Sequence, residues 1–155
     1  MPQQDMQLER GAALIRIGEV GIAQGDEQAL NAYFNQEDYV FHGPDGDMDY
    51  SGLKAFFASM RSALEEYACT RHDLIVKGDM IAARTMMSGR FTAAFDSPSF
   101  GRIKPNWQPV KLEIINFFRY DNEGKLVEEW VQYDNLNFYK QLGVELEPKC
   151  GSALR

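Results

Sequence analysis

Apolar residues in the first part of the chain recur at helical spacing. Leu8, Ala12, Ile15, Val20 and Ala23, with Leu14, Ile17 and Ile22 beside them, make one stripe between Met6 and Ala23. Gly25 supplies a stop, and Asp26 is placed to cap a second helix over 26–34. Tyr39, Val40 and Phe41 then read as a short strand ending at His42, and Gly43, Pro44, Asp45 and Gly46 force a loop. Ser51 opens a third helix in which Leu53, Phe56, Phe57, Met60 and Leu64 share a face.

After Glu66 the period changes to two. Strands are predicted over 67–77 and 80–95 around the turn Gly78-Asp79, and over 110–120 and 125–134 around Asp121-Asn122-Glu123-Gly124. A last helix over 135–142 stops at Gly143. Helices first and a meander of strands afterwards predict an α+β fold, with helices on one face of a curved antiparallel sheet that closes around a pocket. In the polar loop over 96–109, Trp107 is expected to cover the pocket mouth or to lie at a subunit contact.

The chain of 155 residues suits one domain over 1–144, followed by a tail over 145–155 that contains Pro148, Gly151 and Ser152. With 45% hydrophobic and 25% charged residues it can bury a core. The net charge of −7, with no basic stripe, argues against nucleic acid and anionic membranes as partners. No apolar run has the length of a signal peptide or a spanning helix, so a cytoplasmic protein is expected. Cys69 and Cys150 have no metal-type spacing, and two histidines, His42 and His72, do not make a metal site. No zinc-protease, nucleophile-elbow, P-loop or dinucleotide motif occurs, so neither metal nor cofactor is expected.

Candidate chemistry lies on the last two strands. Leu112, Ile114, Asn116, Phe118 and Tyr120 share a face, which sets one amide among large apolar groups. Asn116 either satisfies a neighbouring backbone group or meets a ligand. In the following strand Glu128, Trp130, Gln132 and Asp134 share one face, and Val127, Glu129, Val131 and Tyr133 the other. Asp134 has two readings: the N-cap of the final helix, or a carboxylate beside Trp130 whose pKa a dry cavity raises until it works as base and acid. His42 stands at a mouth-like loop. Arg84 and Arg90 share a strand face, where a solvated edge or an ion pair outweighs substrate binding.

Tyr39-Val40-Phe41-His42-Gly43-Pro44, the Gly78-Asp79 turn, Ser88-Gly89, Phe118-Arg119, and Glu129-Trp130-Val131-Gln132-Tyr133-Asp134 followed by Gln141-Leu142-Gly143 together resemble the SnoaL-like polyketide cyclase family, also called ester cyclases. The resemblance runs from about Leu8 to Val144. It implies a cone-shaped α+β barrel of the ketosteroid isomerase type enclosing one hydrophobic pocket, in a dimer or larger oligomer. It also implies that Asp134 removes a proton next to a carbonyl, that the enolate closes a ring within the same polyketide-like molecule, and that no cofactor takes part. His42 and Asn116 are implied to orient the substrate or stabilise the oxyanion, with Trp130, Gln132, Phe118, Phe91 and Phe57 against it. The chain has Gly89-Arg90-Phe91 where the family often carries Gly-Thr-His, which removes a pocket histidine. Two readings follow: a cofactor-independent aldol cyclase acting on an apolar, carbonyl-bearing small molecule, or a non-catalytic module that binds a hydrophobic ligand or dimerises. A homodimer through the sheet surface carrying Ile115, Phe117, Val131 and Tyr133 is expected.

Overall fold

The first apolar stripe folds as α1 (Pro2–Arg16), which passes directly into a π-helical segment (Ile17–Ala23). In this computed structural model, which describes residues 2–148, Gln24 N–H donates to Glu19 O, five residues back, at 3.2 Å. The wider turn brings Gly21 against the next helix, α2 (Glu27–Tyr33), where a Cβ would lie 2.8 Å from the side chain of Leu30. Asp26 caps α2 as expected, accepting from Ala29 N at 3.0 Å. The third helix, α3 (Tyr50–Ala63), is capped by Asp49, which accepts from Gly52 N at 2.8 Å; Ser51 already lies inside it.

The strands are β1 (Val40–Gly43), β2 (Gly46–Met48), β3 (Leu64–Lys77), β4 (Met80–Phe91), β5 (Phe95–Ser97), β6 (Gly101–Ile103), β7 (Pro109–Tyr120) and β8 (Leu126–Tyr133), followed by α4 (Asn135–Gln141). Six of them form one sheet in the order β2-β1-β8-β7-β4-β3, and β5 pairs with β6 alone. The glycine and proline loop after His42 is therefore the turn of a hairpin, and the loop over 96–109 contains most of another. Leu64, expected on the helix stripe, is the first residue of β3, and the strand predicted to reach 95 ends at Phe91.

The sheet is mixed, not wholly antiparallel, because β1 runs parallel to β8. Tight turns oblige only the sequential pairs to be antiparallel, and β1 reaches β8 from the helical part of the chain. Nor does the sheet close into a barrel; it curves around the helices. Two irregularities in β3 contribute to the bend, where Glu66 (φ 53°) and Asp73 (φ 47°) lie at breaks in the pairing with β4. Leu14, Leu53, Met60, Ile81, Phe118 and Leu126 fill the core between helices and concave face. The tail expected from 145 starts within the described residues, where Leu146 still packs on the core; its end, with Cys150, lies outside them. Cys69 is buried as a free thiol, and burial pushes its pKa up.

Candidate active site

Alternation along β7 and β8 decides what the concave face carries. From β7 it receives Leu112, Ile114, Asn116 and Phe118, and from β8 Glu129, Val131 and Tyr133. These side chains wall a cavity of about 280 Å³. Leu14 and Ile17 enter from the N-terminal helix, Leu53, Phe56 and Phe57 from α3, and Phe138 and Tyr139 from α4. The hairpins β1–β2 and β5–β6 add Pro44 to Met48 and Phe95, Pro98 and Ser99.

One polar chain crosses this apolar surface. Tyr39 Oη donates to Glu129 Oε2 at 2.8 Å, and Asn116 Nδ2 donates to Glu129 Oε1 at 2.9 Å. Asn116 Oδ1 accepts from Thr85 Oγ1 at 2.7 Å, and Thr85 accepts from Arg71 Nη1 at 2.7 Å. Strand register builds the chain. Arg71 is directly opposite Thr85, whereas Asn116 lies two residues off the partner of Thr85, and Glu129 two off the partner of Asn116. Asn116 is 2% exposed and Glu129 7%.

Burial dominates the acid–base character of Glu129 and raises its pKa above the ordinary carboxyl range. The Arg71 charge opposes that shift, as do the hydrogen bonds from Tyr39 and Asn116, but neither cancels it. Tyr39 is held well above the usual phenol value, first by burial and then by Glu129. The wall therefore holds a buried carboxyl group of raised pKa, flanked by two neutral donors, with one guanidinium at the far end of the hydrogen-bonded chain.

The expected site residues divide between the two faces of the sheet. Asn116, Phe118 and Phe57 line the cavity, while Phe91 is fully buried, opposite Leu64, and does not line it. Trp130 and Gln132 project from the outer face. His42 does meet Trp130, as a stacked pair with ring centroids 5.5 Å apart, but on that outer face, where it bonds Asp47 at 2.9 Å and Glu128 at 3.0 Å.

Asp134 is exposed, away from the cavity, and its Oδ1 accepts from Asn137 N at 2.9 Å as the N-cap of α4. The reason is geometric: Tyr133 closes β8 pointing inward, so the next residue turns outward, where the bare N–H groups of α4 draw the carboxylate. Val131 and Tyr133 likewise belong to the interior and not to the outer surface with Ile115 and Phe117. Arg84 pairs with Asp73 at the surface, and Arg90 donates to Trp107 O at 3.1 Å. The Trp107 ring itself is exposed and absent from the cavity wall.

Glu129 carried the signal that singled out Asn116, a polar group on an otherwise apolar strand face. Arg71 had none, because the irregularity at Asp73 breaks the period in β3. Among the described residues there is no group of three or more His, Cys, Asp or Glu side chains placed to hold a metal ion, and no helix is long and apolar enough to cross a membrane.

Helices packed on a bent sheet around an apolar cavity, with a buried carboxyl group in its wall, define a fold of the ketosteroid isomerase type. The family model for the SnoaL-like polyketide cyclases matches residues 16–142, and the chain belongs to that family. Solved structures agree on the fold. AclR, a candidate hydroxylase from Streptomyces galilaeus, superposes with a TM-score of 0.74 at 18% identity, covering 92% of this chain and 87% of its own. A candidate SnoaL-like polyketide cyclase from Jannaschia sp. gives 0.73 at 14% identity, with 90% and 95% covered. A protein of ketosteroid isomerase-like fold from Catenulispora acidiphila, in complex with trimethylamine, gives 0.63 at 16% identity, with 90% and 98% covered. Comparison with curated protein sequences gives no match.

Proposed function

We propose that this chain is a cyclase-type proton-transfer enzyme whose acid–base group is Glu129. In this reading an apolar small molecule occupies the cavity, and ionised Glu129 takes a proton from a carbon next to a carbonyl. The resulting enolate carbon attacks a second carbonyl of the same molecule, closing a ring, and Glu129 returns its proton to the new alkoxide. A carboxyl group raised toward neutrality is better matched to a carbon acid, and the cavity walls hold the reacting carbons together. The observation that carries the reading is a buried carboxyl group of raised pKa in the wall of an apolar cavity. The reading calls on no cofactor.

The test is deuterium incorporation next to the carbonyl of β-tetralone in deuterium oxide, followed by NMR. Glu129→Gln is expected to lower the enzyme-catalysed rate about 100-fold, while Asp134→Asn leaves it within about threefold, since loss of a positioned base costs that order. Full exchange by a folded Glu129→Gln protein sinks the proposal. Both Glu129 oxygens already accept hydrogen bonds from the protein, and this favours a second reading, a non-catalytic pocket for an apolar ligand. That reading expects binding without exchange in the unaltered protein.

The same proposal includes a homodimer. Ile115 and Phe117 are 51% and 49% exposed on the outer face, with Trp130 directly opposite Phe117, which favours burial against a second copy. Sedimentation as a monomer at micromolar concentration overturns that part.

A further inference from the structure

Three arginines at the surface face carboxylates, Arg84 with Asp73, Arg102 with Asp96 and Arg119 with Glu128, and Arg10 and Arg90 bond backbone carbonyls there beside solvent. The arginine inside the protein does neither. Arg71 is 9% exposed and lines the cavity, yet among the described residues no carboxylate lies within ion-pair distance of it. Its fork makes one hydrogen bond, from Nη1 to the neutral hydroxyl of Thr85, and Nε has no partner. Its guanidinium carbon lies 5.1 Å from the centroid of the Phe118 ring, itself part of the wall. No hydrogen bond joins Arg71 to Glu129 directly; the hydrogen-bonded route runs through Thr85 and Asn116, and the two charges feel each other only at longer range.

A guanidinium cannot shed its charge near neutral pH, and a buried cation without a contacting anion is costly to keep. The net charge of −7 does not draw anions to the molecule as a whole, so selectivity for an anion must arise locally. We propose that Arg71 is a carboxylate-recognition residue, and that the cavity takes apolar molecules bearing a carboxylate, held by the guanidinium while the apolar body packs on Phe118 and its neighbours. From the proposed function the inference takes only that the cavity is where substrate binds; it adds the class of that substrate.

Naphthoate and naphthamide share a ring system and nearly a shape and differ in charge, so they serve as probes in isothermal titration calorimetry with the full chain. The unaltered protein is expected to bind naphthoate about 10-fold or more tightly than naphthamide, the order of a charge-assisted hydrogen bond. Arg71→Met is expected to abolish that preference while keeping its naphthamide affinity, and Arg71→Lys to retain part of it. Should Arg71→Met fail to fold, the lysine variant and the Arg71 Nε–H resonance of the unaltered protein carry the test, since that resonance is expected to move with naphthoate and not with naphthamide. Equal affinity for the two probes in the unaltered protein, including no binding of either, overturns the inference, as does a preference that survives Arg71→Met. The two proposals fail separately: Glu129→Gln is expected to keep the carboxylate preference even though it loses proton exchange.

Discussion

Glu128 and Glu129 are adjacent in β8, and the sheet between them reverses their chemistry. Glu128, half-buried on the outer face, receives His42 at 3.0 Å and Arg119 at 2.9 Å, and these partners lower its pKa. Glu129, on the concave face, has two neutral donors, Tyr39 and Asn116, and there burial wins and its pKa rises. Both groups accept hydrogen bonds; the charge of the donors and the loss of water set the direction. A carboxylate on the outer face keeps enough solvent for its partners to stabilise the charge, whereas inside the cavity the same charge must be held by a tyrosine, an amide and a distant guanidinium. One strand thus supplies a half-exposed ion pair and a buried carboxyl group whose pKa values move in opposite directions.

The sharpest way to break this contrast is to remove the centre of the inner network. Asn116→Ala leaves Thr85 and Glu129 each short of a buried partner, and is expected to lower unfolding free energy by about 1–3 kcal/mol. Gln132→Ala, on the outer side of the adjoining strand, is expected to stay within about 0.5 kcal/mol. Urea denaturation compares them, and equal losses remove the claim that the inner network is special.

A smaller effect concerns pH. Because the folded-state pKa of Glu129 is raised, the folded protein holds its proton longer than the unfolded chain does, so stability declines as pH rises from about 4.3 through the raised value. The slope cannot exceed about 1.4 kcal/mol per pH unit for one proton. Glu129→Gln is expected to abolish that decline. A difference that instead favours the unaltered protein as pH rises means that Arg71 outweighs desolvation.

The helices and the two long hairpins were legible because helical spacing and turn residues specify them locally, as at Gly78-Asp79 and at Gly143 after the last helix. The short β2 and most of the β5–β6 hairpin read as loops, and of the first apolar stripe Leu14 and Ile17 pack inward while Leu8 and Ile15 are exposed. The parallel pairing of β1 with β8 was not legible, since no local feature records which strand a distant segment will meet. The site was half legible. The division of β8 into two faces holds in the structure, but which face turns inward depends on how the whole sheet bends around the helices. The resemblance drew attention to Asp134 and Trp130, on the outward side, while Glu129 stood one residue away from Trp130 on the face that became the cavity wall. Arg71 was hidden for another reason, since an irregularity in a strand shifts every later side chain, as the burial of Arg71 and the exposure of Asp73 and Ile75 illustrate.

The weakest expected effect tests the outer side of the contrast. His42 bridges Asp47 and Glu128, and the hydrogen bonds to Glu128 and then Asp47 raise its pKa. With a raised folded value, the stabilisation from His42 is complete below about pH 6.5 and fades as pH climbs through that raised value. Glu128, with a lowered value, contributes above about pH 4.3 and loses its contribution as pH falls through the lowered one. The pair is therefore strongest between those limits. Since the His42 and Glu128 side chains are 31% and 23% exposed, the gap in stability between the unaltered protein and Glu128→Gln is expected to be below about 1 kcal/mol. It should shrink, without vanishing, above about pH 6.5, because the hydrogen bonds from Arg119 to Glu128 do not depend on His42. Added salt should shrink it further, while leaving the Glu129 slope largely intact, because screening reaches the solvated face and not the cavity. A gap that grows from mildly acidic to mildly basic pH contradicts the assignment of His42 as the titrating partner of Glu128.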